Sequence, residues 1–189
     1  MKKRGFTLEG FNREWEQTGK AYVYATKEVE LSNIEKTIGT IDSVIAEFNL
    51  PLKIHNGNAN LPEDALLIET LIASNAQENL LDGDSALEKL CRYWNEGVLR
   101  YGLIVLVNEK YRLKYKPSEA KPIYGWTDYR GLSILRRFDI ENAVRHEFGH
   151  MIGLATLDHH PGCAMAYDCD VYDFCENCRR EISEIWELV

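Results

Sequence analysis

Apolar residues recur along this chain in two rhythms, and the switches between them predict alternating strands and helices. Ala21-Tyr22-Val23-Tyr24-Ala25 reads as a first strand. Ser32-Asn33-Ile34-Glu35 follows as a Ser-x-x-Glu capping box, and Ile34, Ile38, Ile41, Val44, Ile45 and Phe48 continue at helical spacing. Pro51 to His55 makes a short second strand. Pro62 then opens a helix through Leu66, Leu67, Leu71 and Ile72, because proline fits a first turn whose amide has no helical partner to lose. A turn at Asp82-Gly83-Asp84 leads to a further helix from Ser85. Gly102 to Val107 lacks polar alternation and so reads as a fully buried strand in the middle of the sheet. Ile123 to Asp128 and Leu132 to Leu135, separated by Tyr129-Arg130-Gly131, suggest a hairpin. Asp139 is a natural N-cap for a helix carrying Ile140, Val144, Met151 and Ile152, which Gly153 stops. The polar stretch 116–122, with its two prolines, is short enough to be a surface loop, and no repeat or interdomain linker is evident.

Composition narrows the class. The 189 residues carry 22 basic and 30 acidic side chains, a net charge of −8, and 45% hydrophobic residues. A chain of this size buries roughly 70% of its unfolded surface, so one domain with a self-sufficient core is expected and intrinsic disorder is not. An acidic excess disfavours binding to nucleic acid or anionic membranes, both of which need clustered Lys and Arg. The basic opening Met1-Lys2-Lys3-Arg4 has no apolar run behind it, and no stretch nears the ~20 apolar residues of a membrane span, so a cytoplasmic protein is expected. Four of the five cysteines and four of the five histidines fall between His146 and Cys178. In a reducing compartment such crowding reads as metal ligation rather than as disulfides. Cys91 reads as a buried core thiol, and His55 has no assigned role.

The helix stopped by Gly153 carries His146-Glu147-Phe148-Gly149-His150. At about 100° per residue, positions four apart nearly superimpose, so both imidazoles leave one face and can meet one zinc ion. Glu147 stands beside that face. Zinc lowers the pKa of bound water towards ~7, and a neighbouring carboxylate can act as general base in attack on a peptide carbonyl.

With Gly153 three residues beyond His150, Cys163-Ala164-Met165-Ala166-Tyr167, and Cys175-Glu176-Asn177-Cys178, the sequence resembles the archaemetzincins, small metzincin-like zinc metallopeptidases with a second, cysteine-bound zinc. The family pattern is H-E-x-x-H-x-x-G-x-x-H-C, a C-x-M Met-turn and a terminal C-x-x-C. The resemblance extends back to Tyr124-Gly125 and to Leu132-Ser133-Ile134-Leu135-Arg136. It implies that Met165 forms a hydrophobic floor under the catalytic zinc, while Tyr167, two residues on, is placed like the tyrosine of astacin-type and serralysin-type metzincins, which implies that it approaches the metal or hydrogen-bonds the tetrahedral oxyanion. Thr156 and Leu157 stand where the family has its adjoining histidine and cysteine, but Asp158-His159-His160 follows immediately. A shifted third ligand is therefore expected: His159 or His160, with Asp158 the alternative, histidine being the commoner choice in three-ligand hydrolytic zinc sites. Cys163, Cys169, Cys175 and Cys178 make the simplest closed set for a structural zinc, and an alternative set replaces Cys169 with the remaining histidine of the pair.

Together these readings predict an α/β (α+β) metzincin-like fold: a twisted, mostly parallel mixed sheet, an antiparallel edge strand, an active-site helix and a zinc-stapled C-terminal subdomain. Residues 1–189 form one domain, with the subdomain division between 153 and 154. The expected activity is zinc-dependent hydrolysis of peptide bonds by a cytoplasmic monomer holding two zinc ions, with a peptide or protein as substrate. That substrate would pair with the edge strand 123–128. Two rivals remain. A zinc-binding pseudo-protease that only binds peptides is favoured by Thr156, and a nucleic-acid-binding zinc ribbon is disfavoured by the acidic charge.

Overall fold

The computed structural model describes residues 19–78, 80–95, 101–114, 125–127, 131–136, 141–154, 162–166 and 173–186. Strand β1 (Lys20–Ala25) divides the molecule in two: Ala21, Val23 and Ala25 enter one core and Tyr24 the other, as the two-residue repeat of a strand requires. It is followed by helix α1 (Leu31–Phe48), strand β2 (Lys53–Asn56), the single turn α2 (Gly57–Asn60) and helix α3 (Pro62–Ser74). Next come β3 (Ala76–Gln77), β4 (Leu80–Asp82), α4 (Gly83–Asn95), β5 (Gly102–Leu106), β6 (Arg112–Lys114), β7 (Gly125–Thr127) and β8 (Leu132–Leu135). Helices α5 (Glu141–Met151) and α6 (Glu176–Ile185) complete the described chain.

The main sheet has the order β2-β1-β5-β8-β7. Its first four strands are parallel, and β7 closes the edge antiparallel to β8, with Thr127 opposite Ser133. The protein is thus mixed α/β, and the run from Gly102 is the central strand, every residue of it buried. A second, three-stranded sheet, β3-β4-β6, has strands of two or three residues, too short for periodicity to reveal them.

Each face of the main sheet carries its own core. Helices α3 and α4 cover Leu103, Val105, Leu132 and Ile134 with Ile68, Leu71, Ile72, Leu87 and Leu90. On the opposite face α1, α5 and α6 cover Val23, Ile104, Leu106 and Leu135 with Ile41, Val44, Phe148, Met151 and Ile182. Leu154, Cys163, Met165, Phe174 and Cys178 belong to this second core, so residues on both sides of Gly153 are packed together. Each fully buried large apolar side chain contributes about 1.5–3 kcal/mol, enough collectively to hold α5 against the sheet in one orientation.

The capping box is a correction. Helix α1 begins at Leu31, two residues before the expected first turn, with Glu30 as its N-cap and no side-chain capping bond. A turn closed by Val29 N–H on Thr26 O at 2.9 Å already sets the helical path, and Asn33 N–H bonds Glu30 O at 3.0 Å. Ser32 Oγ instead donates to Glu30 Oε2 at 3.4 Å. The turn expected at Asp82-Gly83-Asp84 is instead the start of α4, which begins at Gly83 rather than at Ser85, with the Asp82 carboxylate accepting from Ser85 N–H at 3.0 Å. The expected N-cap Asp139, the loop 116–122 and the ends of the 123–128 strand lie outside the described residues, as does the Cys91 side chain. Among the described residues no helix is long and apolar enough to cross a membrane.

Candidate metal centres

Arg145, His146 and Glu147 are consecutive, ionisable and buried, at 6%, 9% and 8% exposure. Helix α5 therefore cannot be an ordinary amphipathic helix with a wet polar face, and each of these groups needs a partner. Arg145 has Glu47 of α1 at 2.7 Å, and Glu47 also takes Arg179 of α6 at 2.5 Å. That bridge, with Arg145 over the Phe174 ring and Arg179 over the Phe48 ring, ties α1, α5 and α6 together.

The two histidines are held by backbone carbonyls. His146 Nδ1 lies 3.0 Å from Ala164 O, and His150 Nδ1 lies 2.9 Å from Leu154 O. A carbonyl oxygen only accepts, so both rings carry their proton on Nδ1 and turn the Nε2 lone pair the other way. The two Nε2 atoms converge to 3.2 Å. Two lone pairs at that distance repel unless a proton or a metal cation is shared between them, and two nitrogens on a tetrahedral zinc at about 2.0–2.1 Å stand about 3.3 Å apart. Carbonyl-anchored Nδ1–H groups are also the usual outer support of metal-binding histidines.

Gly153 explains why Leu154 O is where His150 needs it. Leu154 N–H bonds Gly149 O at 2.9 Å and Gly153 N–H bonds His150 O at 3.1 Å, the paired bonds of a Schellman ending around Gly153 at φ +109°. A Cβ there would stand 2.9 Å from Ile185 Cδ1 of α6. Gly153→Ala is therefore expected to cost about 1–3 kcal/mol, read as a lower denaturant midpoint. An unchanged midpoint would show that the turn tolerates a side chain.

Glu147 faces the edge strand. Its carboxylate Oε2 accepts from the Thr127 hydroxyl, and a Cβ on Gly125 would stand 2.6 Å from its Cγ and 2.8 Å from Oε1. Burial pushes the Glu147 carboxyl up to about 7, against the opposing pull of the Thr127 hydrogen bond. In metal-free protein this raised value favours folding below the ordinary carboxylate range and loses that contribution as pH rises through about 7. Glu147→Gln should remove that pH dependence, a difference of roughly 2–3 kcal/mol between pH 4.5 and 8 in chelator-treated denaturation curves. Parallel curves for the two proteins would contradict it.

The thiols form the second centre. Cys163 and Cys178 Sγ are 3.5 Å apart, as are Cys175 and Cys178 Sγ. A disulfide needs about 2.05 Å, whereas thiolates at about 2.3 Å on a tetrahedral zinc stand about 3.8 Å apart. The Met165 and Cys175 amides both donate to Cys163 Sγ at 3.5 Å. Burial and the neighbouring thiols push the Cys178 thiol well above its ordinary range, so a bound cation would have to displace its proton. Cys175 caps α6 and Cys178 lies in its first turn, a bite set by the helix start. Among the described residues these three are the only set of three or more His, Cys, Asp or Glu donors within 4.8 Å of one another. They could hold a metal ion, and Glu147 is not a third close donor to the histidine pair.

Three successive residues join the centres. Cys163 supplies a sulfur, Ala164 the carbonyl that holds His146, and Met165 packs its Sδ into the space that a Gly149 Cβ would need, beneath α5. Residues 155–161 and 167–172 lie outside the described set, and with them Asp158, His159, His160, Tyr167 and Cys169. His55 is placed away from these centres, on β2 with its ring 5.2 Å from Tyr22.

Sequence reasoning missed Thr127, Ser133, Ala164 and the Arg145–Glu47–Arg179 bridge, all of which act through contacts between distant segments. It also passed over α6, although Cys178, Ile182 and Ile185 recur at helical spacing. Compared with protein-family models, curated proteins and solved structures, the chain matches none.

Proposed function

We propose that this chain is a zinc-dependent metallopeptidase of archaemetzincin type, with a metzincin-like fold and two zinc ions, one held by His146 and His150 and one by Cys163, Cys175 and Cys178. The observation that carries the reading is the 3.2 Å convergence of two Nε2 atoms whose rings are fixed by Ala164 O and Leu154 O. The parallel sheet with an antiparallel edge strand over the motif helix supports the fold assignment. A third ligand from His159, His160 or Asp158 and a fourth thiol from Cys169 belong to the same proposal, as does an oxyanion role for Tyr167.

A zinc ion bound by the histidines supplies Lewis acidity and makes water a nucleophile near neutral pH. The chain's own residues do the rest. Strand β7 is the last strand of the sheet among the described residues, and an extended peptide pairing along it brings a peptide carbonyl above α5. Glu147, buried and raised to about 7, takes a proton from water and hands it to the departing amine. A polypeptide is thus the substrate class, and cysteine ligation fits a reducing, cytoplasmic setting.

The test is hydrolysis of a quenched fluorogenic peptide set by zinc-loaded protein. Cleavage should disappear with a chelator, return with zinc, and fall more than about a thousandfold in Glu147→Gln with both zinc equivalents retained. The pseudo-protease reading rests on Thr156, where the family has a histidine. It predicts two bound zinc ions, peptide binding and no turnover in either protein.

A further inference from the structure

The buried face of β7 and β8 that meets α5 carries two hydroxyls. Thr127 and Ser133 are register partners on these strands, Thr127 Oγ1 lies 3.0 Å from Ser133 Oγ, and Ser133 is fully buried. Buried hydroxyls are costly unless they are bonded, and a strand core position ordinarily takes Val or Ile. Here the pair has a specific acceptor. Thr127 donates to Glu147 Oε2 and lies 3.3 Å from the Glu147 backbone oxygen, so it touches the same residue twice. Its β-branch restricts χ1, which fixes where the hydroxyl points, and Ser133 buttresses it from behind. Gly125, two residues away on the same strand, leaves the room in which Oε1 sits.

From this arrangement we infer that Thr127, backed by Ser133, is a positioning residue that holds Oε2 of the Glu147 carboxylate and so fixes where the general base stands beside β7. The inference rests on the metallopeptidase reading for what Glu147 does, but its geometry belongs to this chain alone. Strand β7 thereby acquires a second role, since the last described strand of the sheet also orients the general base. A substrate strand pairing on one side of β7 therefore docks on the element that sets the base on the other.

The test compares Thr127→Val, which keeps shape and loses the donor, with Thr127→Ser, which keeps the donor. Acetohydroxamic acid serves as the probe, titrated calorimetrically into zinc-loaded protein, because a hydroxamate chelates zinc and shares its proton with an adjacent carboxylate. Losing a hydrogen bond to a charged group should weaken its binding about tenfold or more in Thr127→Val, as in Glu147→Gln, while Thr127→Ser stays within about threefold of wild type. Zinc content should not move. In the peptide assay Thr127→Val should lower kcat by about the same factor and leave KM unchanged. Thr127→Ala provides the same comparison should the valine variant not fold.

Wild-type hydroxamate affinity in zinc-loaded Thr127→Val or Thr127→Ala overturns the inference, and so does failure of Thr127→Ser to restore it. The two readings separate cleanly. A wild-type protein that cleaves no peptide, yet shows the hydroxamate order wild type, Ser, then Val, keeps the positioning role and loses the peptidase. Equal cleavage by wild type and Thr127→Val does the reverse.

Discussion

His146→Ala should empty the histidine centre and leave the thiol centre loaded, so that the zinc-saturated variant holds one equivalent where the wild-type protein holds two. The expectation follows from how little else is available among the described residues. His146 supplies one of two converging Nε2 atoms, and Glu147, the nearest carboxylate in sequence, is bonded to Thr127. Removing a first ligand should cost more than removing its outer partner, which already lowers metal affinity by about 10–100-fold. His150→Ala should behave alike. His55→Ala, whose ring packs on Tyr22, should retain both equivalents. Cleavage of the fluorogenic peptides should vanish with the metal. Two retained equivalents in His146→Ala would mean that the centre lies elsewhere.

Cys178→Ser should have the larger effect on stability. Cys178 Sγ is 3.5 Å from both other sulfurs and is buried at the start of α6, so it is the middle member of the cluster. Structural zinc contributes folding free energy directly, and losing even several kcal/mol of it should lower the thermal midpoint of a chain this size by more than about 10 °C. A second consequence distinguishes this protein from one with two independent sites. Cys163 and the Ala164 carbonyl that orients His146 are adjacent, so release of the sulfur frees that carbonyl and weakens zinc binding at the histidines by about tenfold or more. A thermal melt and a calorimetric zinc titration of Cys178→Ser together resolve both effects. An unchanged midpoint, or an undisturbed histidine centre, would uncouple them.

Much of this was legible in the chain because it is local. The His-Glu-Phe-Gly-His spacing requires only a helix to bring its rings together, and Gly153 marks its own stop by the φ it must adopt. The buried run Gly102–Leu106 announces a central strand by lacking polar residues. What was not legible is tertiary. Nothing in Thr127 or Ser133 marks them as neighbours of Glu147, since twenty residues and a strand pairing separate threonine from glutamate. Ala164 acts through its backbone, which no side-chain pattern records. The capping box at Ser32 failed for a related reason: a turn at Thr26 to Val29 fixes the helix start earlier than the local signal does.

The central claim is that two metal ions occupy two donor sets joined by Cys163-Ala164-Met165. An anomalous difference map from crystals of the full chain, recorded across the zinc edge, tests it most directly. The account predicts two peaks, one at about 2.0–2.1 Å from Nε2 of both His146 and His150, and one at about 2.3 Å from Sγ of Cys163, Cys175 and Cys178. No peak at the histidine pair in zinc-saturated crystals, with both Nε2 atoms still converged, would contradict it.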